Sequence, residues 1–307
     1  MKAVYINRHG GPEVLEYGDL PAPYAKPGEV IVDIHAASIN AADWKVRSGY
    51  DYRVSIFPYI LGRDFSGVVR FVAEGVEGMR VGDRVFGVCD VGQEGSYAEQ
   101  IAVKAAIIAK VPETISHVDA AALALTGLTA LVAVEDTLKL RSGETILIQG
   151  GAGGVASFAI QLAKHIDARV ITTASAVNHD YLRSLGADQI VDYQKQGFTA
   201  VVSGCDAVFD TVGGDVAPRS FTVLKPGGRA AFIASGAQSP KTPRGDVTSL
   251  RPQVGRDRAH LERIVDLVQT GAVRLPEVKL FNLADAAAAH TLSQSRHLRG
   301  KLVLKVR

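Results

Sequence analysis

The 307-residue chain contains two cysteines, Cys89 and Cys205, and neither stands in a CxxC or other paired spacing. That excludes a disulfide framework and a cysteine-built metal centre, and unbridged thiols point to the cytoplasm. An excess of one charge is also missing. Lys and Arg total 34 against 32 Asp and Glu, a net +2, so no electrostatic attraction to nucleic acid or an anionic membrane is expected. The longest apolar stretch, Ala120 to Val134, is interrupted by Thr126, Gly127 and Thr129 and falls short of the roughly 20 residues that span a bilayer. The opening Met1 to Arg8 turns polar too soon for a signal peptide and reads as a strand. What remains is a globular chain with a small-molecule partner, and its length suggests two domains at about 150 residues each.

Up to about residue 115 the chain reads as short strands broken by glycine. In Glu29 to Ala36 the apolar Val30, Val32, Ile34 and Ala36 share one face with period two. Gly67 to Ala73, Arg84 to Val88 and Tyr97 to Val103 are further strands, which together suit a small, partly closed barrel without a competing helix. Near Asp119 a helical stretch begins and the pattern becomes alternating strand and helix. Ile146 to Ile148, Val170 to Ile171, Ala207 to Phe209 and Ala230 to Ile233 are apolar throughout, as in parallel strands buried on both faces. A later helix carries Leu261, Ile264, Val265 and Val268 on one face. The final Gly300 to Val306 alternates as a strand with no helix after it, so it is expected to pair with the N-terminal barrel. The expected domains are therefore 1–120 with 248–307, and an inserted 121–247.

Directly after the Ile146 strand comes Gly150-Gly151-Ala152-Gly153-Gly154-Val155-Ala156, then a helix with Val155, Ala159, Leu162, Ala163 and Ile166 on one stripe. Gly151, Gly153 and Ala156 fit the GxGxxG/A dinucleotide turn. Its backbone around Ala152, Gly153, Gly154 and Val155 would receive a pyrophosphate at the helix N-terminus. A purely structural turn is the alternative. An NAD site places an acid about 20 residues further on, but Ala168 to His179 holds none. Thr173, Ser175, Asn178 and His179 offer donors to a 2′-phosphate instead, which favours NADPH; the alternative is that these polar residues, Asn178 in particular, merely cap the next helix.

The opening Met1-Lys2-Ala3-Val4, Ala37-Ser38-Ile39-Asn40-Ala41-Ala42-Asp43, Leu61-Gly62-Arg63-Asp64-Phe65-Ser66-Gly67, Gly82-Asp83-Arg84-Val85, Thr126-Gly127-Leu128-Thr129-Ala130, the glycine turn, Leu185-Gly186-Ala187-Asp188 and Gly300-Lys301 occur in order. With these motifs the chain resembles the medium-chain dehydrogenase/reductase superfamily, and within it the zinc-free quinone oxidoreductase branch. The resemblance implies an α/β protein: a doubly wound parallel Rossmann sheet inserted into a GroES-like, partly closed β-barrel domain. Zinc-dependent relatives carry Cys near position 40 and His-Glu after position 62, where this chain has Asn40 and Arg63-Asp64, so no metal is expected. Without a Lewis acid, hydride transfer from NADPH to a quinone or an α,β-unsaturated carbonyl is the implied reaction. Asn40 and one of Tyr50 and Tyr52 are the implied catalytic residues. Thr126, Phe232, Ile233 and Ser235 are implied near the nicotinamide, Tyr193 near the 2′-phosphate, Lys301 before the last strand, and a homodimer as the assembly. The other reading is a non-catalytic NADPH-binding protein with a redox-sensing or structural role.

Overall fold

The computed structural model describes residues 1–50, 54–234, 236 and 238–307. They divide into two compact units. One comprises Met1–Leu125, Arg256–Asp266 and Leu275–Arg307, the other Thr126–Gly255 and Leu267–Arg274.

The first unit is built around the strand Glu29–Ile39. Val30, Val32 and Ile34 are fully buried, as the period of two requires. On one edge its first half pairs with Gln100–Lys104 and its second half with the C-terminal strand Lys301–Lys305, and on the other edge it pairs with Asp64–Val72. The expected return of the last strand to the barrel is thereby observed. Arg84–Val88 and Ile108–Lys110 continue the sheet beyond Asp64–Val72, and Val278–Asn282 closes the far edge beside Lys301–Lys305. The alternation stops at Ala36, where the pairing register with Asp64–Val72 shifts, and Ala36, Ala37, Ser38 and Ile39 are all buried. Such an irregularity re-aims the side chains that follow it. A helix, Ala41–Ser48, then follows. The strand-only expectation for this region missed it, although Asn40 with Asp43 three residues on is an N-terminal signature: the Asn40 backbone N–H donates to Asp43 Oδ2 at 2.8 Å. Gly49 ends the helix in the left-handed region at φ 72°.

The second unit is a six-stranded parallel sheet in the order Gln189–Asp192, Arg169–Ala174, Thr145–Gln149, Cys205–Asp210, Leu224–Phe232, Thr248–Leu250. Ile146, Leu147, Ile148, Ala207, Val208, Phe209, Ala230, Ala231 and Phe232 are inaccessible to solvent, the burial that their unbroken apolar runs foretold. Strand order reverses about Thr145–Gln149, the doubly wound arrangement. Because Thr248–Leu250 belongs to this sheet, the boundary expected at 247/248 falls after Gly255 instead, and the amphipathic helix Arg258–Gln269 is shared between the units. The helical stretch His117–Thr137 is 21 residues long and apolar enough to cross a bilayer, longer than the interrupted run suggested. However, 78% of its most apolar window is buried inside the protein, which accounts for its hydropathy.

Candidate active site

The glycine turn sits at the C-terminal end of the central parallel strand Thr145–Gln149 and opens the helix Gly154–His165. Gly150 has φ 74°, a conformation for which glycine is the default. A Cβ at Gly151 would collide with Thr172 Oγ1, which is itself tied to the Ile148 carbonyl at 2.7 Å. At Gly153 a Cβ would meet nothing nearer than the Gly150 carbonyl at 3.5 Å. The three glycines thus do separate work: one makes the turn, one admits the neighbouring strand, and one stands where a Cβ would meet only a carbonyl at ordinary contact distance. The first intrahelical bond runs from Ser157 N to Gly153 O, so the N–H groups of Gly154, Val155 and Ala156 precede it and form the helix's anion-binding end. Gly153 N–H differs from the expectation: it closes the turn on Gly150 O at 3.1 Å.

At the end of the next strand, Arg169–Ala174, there is no carboxylate. Thr173, expected to reach a 2′-phosphate, is 4% exposed. Its hydroxyl donates to Gln149 Oε1 at 2.8 Å and accepts from Gly150 N–H at 3.0 Å, so it braces the turn instead. Ser175 and Asn178 remain at the surface side by side, with Asn178 Nδ2 donating to Ser175 Oγ at 3.2 Å. The register Ala174↔Asp192 brings exposed Tyr193 next to Ser175. Phe232, expected beside the nicotinamide, packs instead in the core with its ring centroid 5.3 Å from that of Phe221. Ile233 is half-buried, its N–H on Asp210 O, and Thr126 is buried in the helix His117–Leu131. Ser235 lies outside the described residues.

In the first unit, Asn40 ends the long strand and is 9% exposed. Lys301 Nζ donates to its Oδ1 at 2.7 Å and to the Ile39 carbonyl at 2.8 Å. Asn40 Nδ2 donates to Asp64 Oδ1 at 3.0 Å and lies 3.4 Å from the Ser38 carbonyl. Both faces of the amide are therefore committed within the protein, and the expected donor to a substrate oxygen is not available from it. Asp64, fully buried, also accepts Ser38 Oγ at 2.8 Å and Leu125 N–H at 3.3 Å. Burial pushes the Asp64 carboxyl up and the Lys301 ammonium down, while each charge opposes the other's shift. Tyr50, expected at the cleft, is 79% exposed, and Tyr52 lies outside the described residues. Among the described residues no group of three or more His, Cys, Asp or Glu could hold a metal ion.

A second buried chain starts at Asp43. Its Oδ2 accepts Tyr97 Oη at 2.9 Å, Tyr97 Oη meets His290 Nε2 at 3.2 Å, and His290 Nδ1 meets Arg47 Nη1 at 3.1 Å. Arginine only donates, so Nδ1 accepts and the imidazole proton is on Nε2, directed at Tyr97, whose own proton goes to Asp43. Burial, with Asp64 adding to it, raises the Asp43 carboxyl to about 7, and burial with Arg47 nearby lowers His290 to about 3. None of Asp43, Tyr97, His290 or Arg47 was expected at the site. Asp43 had the capping signal described above, whereas His290 lies 243 positions from Arg47 and nothing local announces the contact.

Residues 26–113 match the family model of the alcohol dehydrogenase GroES-like domain, and residues 185–304 that of a zinc-binding dehydrogenase domain. An NADPH-dependent alkenal/one oxidoreductase of Arabidopsis thaliana is 32% identical over 99% of this chain and 79% of the relative. Among solved structures, the quinone oxidoreductase of Coxiella burnetii superimposes with a TM-score of 0.93 at 35% identity, covering 100% of this chain and 99% of the other. The Escherichia coli quinone oxidoreductase complexed with NADPH gives 0.91 at 26% identity, with both chains fully covered. This chain belongs to the medium-chain dehydrogenase/reductase superfamily, in the branch of the quinone oxidoreductases.

Proposed function

We propose that the chain is an NADPH-dependent oxidoreductase that reduces quinones or α,β-unsaturated carbonyls, and that it does so without a metal. The observation that carries the cofactor is the glycine turn at a helix N-terminus, where a Cβ on Gly153 would meet only a carbonyl, followed by a strand end with Ser175, Asn178 and Tyr193 in place of an acid. The first-turn N–H groups would hold the pyrophosphate, and Ser175, Asn178 and Tyr193 the 2′-phosphate. NADPH supplies the hydride; the protein has to bind, orient and stabilise charge. The names of the relatives, a quinone oxidoreductase and an alkenal/one oxidoreductase, supply the acceptor class. A buried cation, the Lys301 ammonium, stands beside Asn40 and near the Asp64 carboxyl. Two buried, unbridged thiols suit the cytoplasm, and the branch suits a homodimer acting on a small molecule rather than on nucleic acid or a membrane.

The deciding experiment is NADPH oxidation against a panel of quinones and enones, before and after dialysis with a strong chelator. Turnover with at least one acceptor and an unchanged rate after chelation are expected. A protein that binds NADPH tightly and turns over nothing in the panel is the non-catalytic alternative. Titration should give tighter binding of NADPH than NADH, and Ser175→Asp should reverse the order. Equal affinities in the parent would refute the 2′-phosphate assignment.

A further inference from the structure

The second unit holds two buried polar side chains that its backbone leaves only half paired. Gln149 ends the strand Thr145–Gln149, Asp210 ends its neighbour Cys205–Asp210, and the two are direct partners in the parallel register. Partners on neighbouring strands send their side chains to the same face of a sheet, about 5 Å apart. Gln149 is 1% exposed and Asp210 is inaccessible to solvent. Each carries one buried polar atom without a hydrogen-bond partner, Nε2 of Gln149 and Oδ2 of Asp210. The first is a donor and the second an acceptor.

The remaining atoms of both groups are committed. The Thr173 hydroxyl accepts Gly150 N–H at 3.0 Å, so its own proton goes to Gln149 Oε1 at 2.8 Å. That turns the amide oxygen toward the strand Arg169–Ala174 on one side and leaves the NH2 as the unfilled end. Asp210 Oδ1 accepts Val212 N–H at 2.8 Å and Gly213 N–H at 3.0 Å, which shapes the loop after its strand. In that loop the Thr211 hydroxyl donates to the Gln149 carbonyl at 2.7 Å. A Cβ on Gly150 would lie 2.9 Å from Val212 and 3.0 Å from Thr211, so the loop and the glycine turn run side by side. They end the two strands between which the strand order reverses. An unpaired polar group in such a dry place is costly, and native structures pair nearly all of them.

Resting on the NADPH reading above, we propose that Gln149 and Asp210 are positioning residues for the cofactor: Gln149 Nε2 donates to Asp210 Oδ2, directly or through one water, and so joins the glycine turn to the loop 211–214. A continuous chain then runs from Gly150 N–H through Thr173, Gln149 and Asp210 to the N–H groups of Val212 and Gly213. It sets the turn in its binding conformation before NADPH arrives, which removes an ordering cost from binding. Burial pushes the Asp210 carboxyl up while the two backbone N–H groups oppose that, and a third donor at Oδ2 favours the carboxylate further. The pair acts through the turn, which NADPH and NADH share, and leaves the 2′-phosphate to other residues.

The test exchanges the two groups. Asp210→Asn alone sets one NH2 against another, and Gln149→Glu alone sets two carboxylates together. The double variant Gln149→Glu/Asp210→Asn has one donor and one acceptor again, in reversed order. NADPH and NADH affinities are read by fluorescence titration and stability by urea unfolding. Each single variant should bind both cofactors about tenfold more weakly, and the double variant should return to within about threefold of the parent. The ratio of NADPH to NADH affinity should stay at the parental value throughout. Losses that merely add in the double variant overturn the proposal, as do urea midpoints that fall while the folded variants keep parental affinity. A changed ratio places the effect at the 2′-phosphate and also overturns it. If neither single variant folds, a double variant that folds and binds NADPH supports the pairing, and one that stays unfolded or binds none overturns it. A parent that binds no NADPH fails the cofactor reading and the positioning role with it, whereas a parent that binds NADPH without rescue by the exchange fails this proposal alone.

Discussion

The glycines of the cofactor turn show how much one hydrogen atom in place of a side chain can decide. Gly151 and Gly153 are two glycines of one motif, yet a Cβ at the first strikes Thr172 and a Cβ at the second meets only a carbonyl at ordinary contact distance. Gly151→Val should therefore destabilise the fold, by about 2 kcal/mol or more, since Thr172 is held to Ile148 and cannot yield. Gly153→Val should fold with near-parental stability and lose NADPH. Urea unfolding and fluorescence titration of the two variants separate the roles. If Gly153→Val keeps NADPH affinity, the pyrophosphate does not lie there.

At the scale of elements, three strand ends meet: Ile39, Asp64 and Lys301 come from the central strand and its two neighbours. Each strand is stabilised by its own apolar alternation, but the junction is polar and buried, so its charges must be matched. Lys301→Met leaves the Asp64 carboxylate buried without its cation and should cost about 3–5 kcal/mol. Adding Asp64→Asn should restore most of that. Urea midpoints of the single and double variants check it. A Lys301→Met protein as stable as the parent would mean that Asp64 is already neutral and that the pair is not ionic.

For the molecule as a whole, the buried titratable groups give stability an opposing dependence on pH at each end. Asp43 rises from 3.8 to about 7 on folding, so the folded state holds its proton more tightly. The stability it contributes is complete below its unfolded value, declines as pH rises through the interval, and is gone above the folded value. His290 falls from 6.5 to about 3, so its contribution is complete above its unfolded value and is lost as pH falls toward the folded one. Unfolding free energies measured from acid to neutral pH should show a flatter decline toward neutrality for Asp43→Asn and a flatter decline toward acid for His290→Gln. Profiles parallel to the parent's for both variants would contradict the burial argument.

By itself the sequence determined whatever depends on local period and backbone geometry. Buried parallel strands, the glycine turn, the missing acid after Arg169–Ala174 and the alternation of the barrel strand are all written within windows of about a dozen residues. The family could be read the same way, because its motifs are short and ordered. Tertiary structure alone decided which polar side chains do work. Thr173 proved to brace the turn, Phe232 to fill the core, and Asn40 to be locked between Asp64 and Lys301, 261 positions away from the latter. A hydroxyl, a ring or an amide has several possible partners, and the pairing that wins is set by which distant segments arrive beside it. The same holds for the boundary after Gly255. Thr248–Leu250 carries too little pattern to announce a strand, and it becomes one because Leu224–Phe232 offers it a free parallel edge.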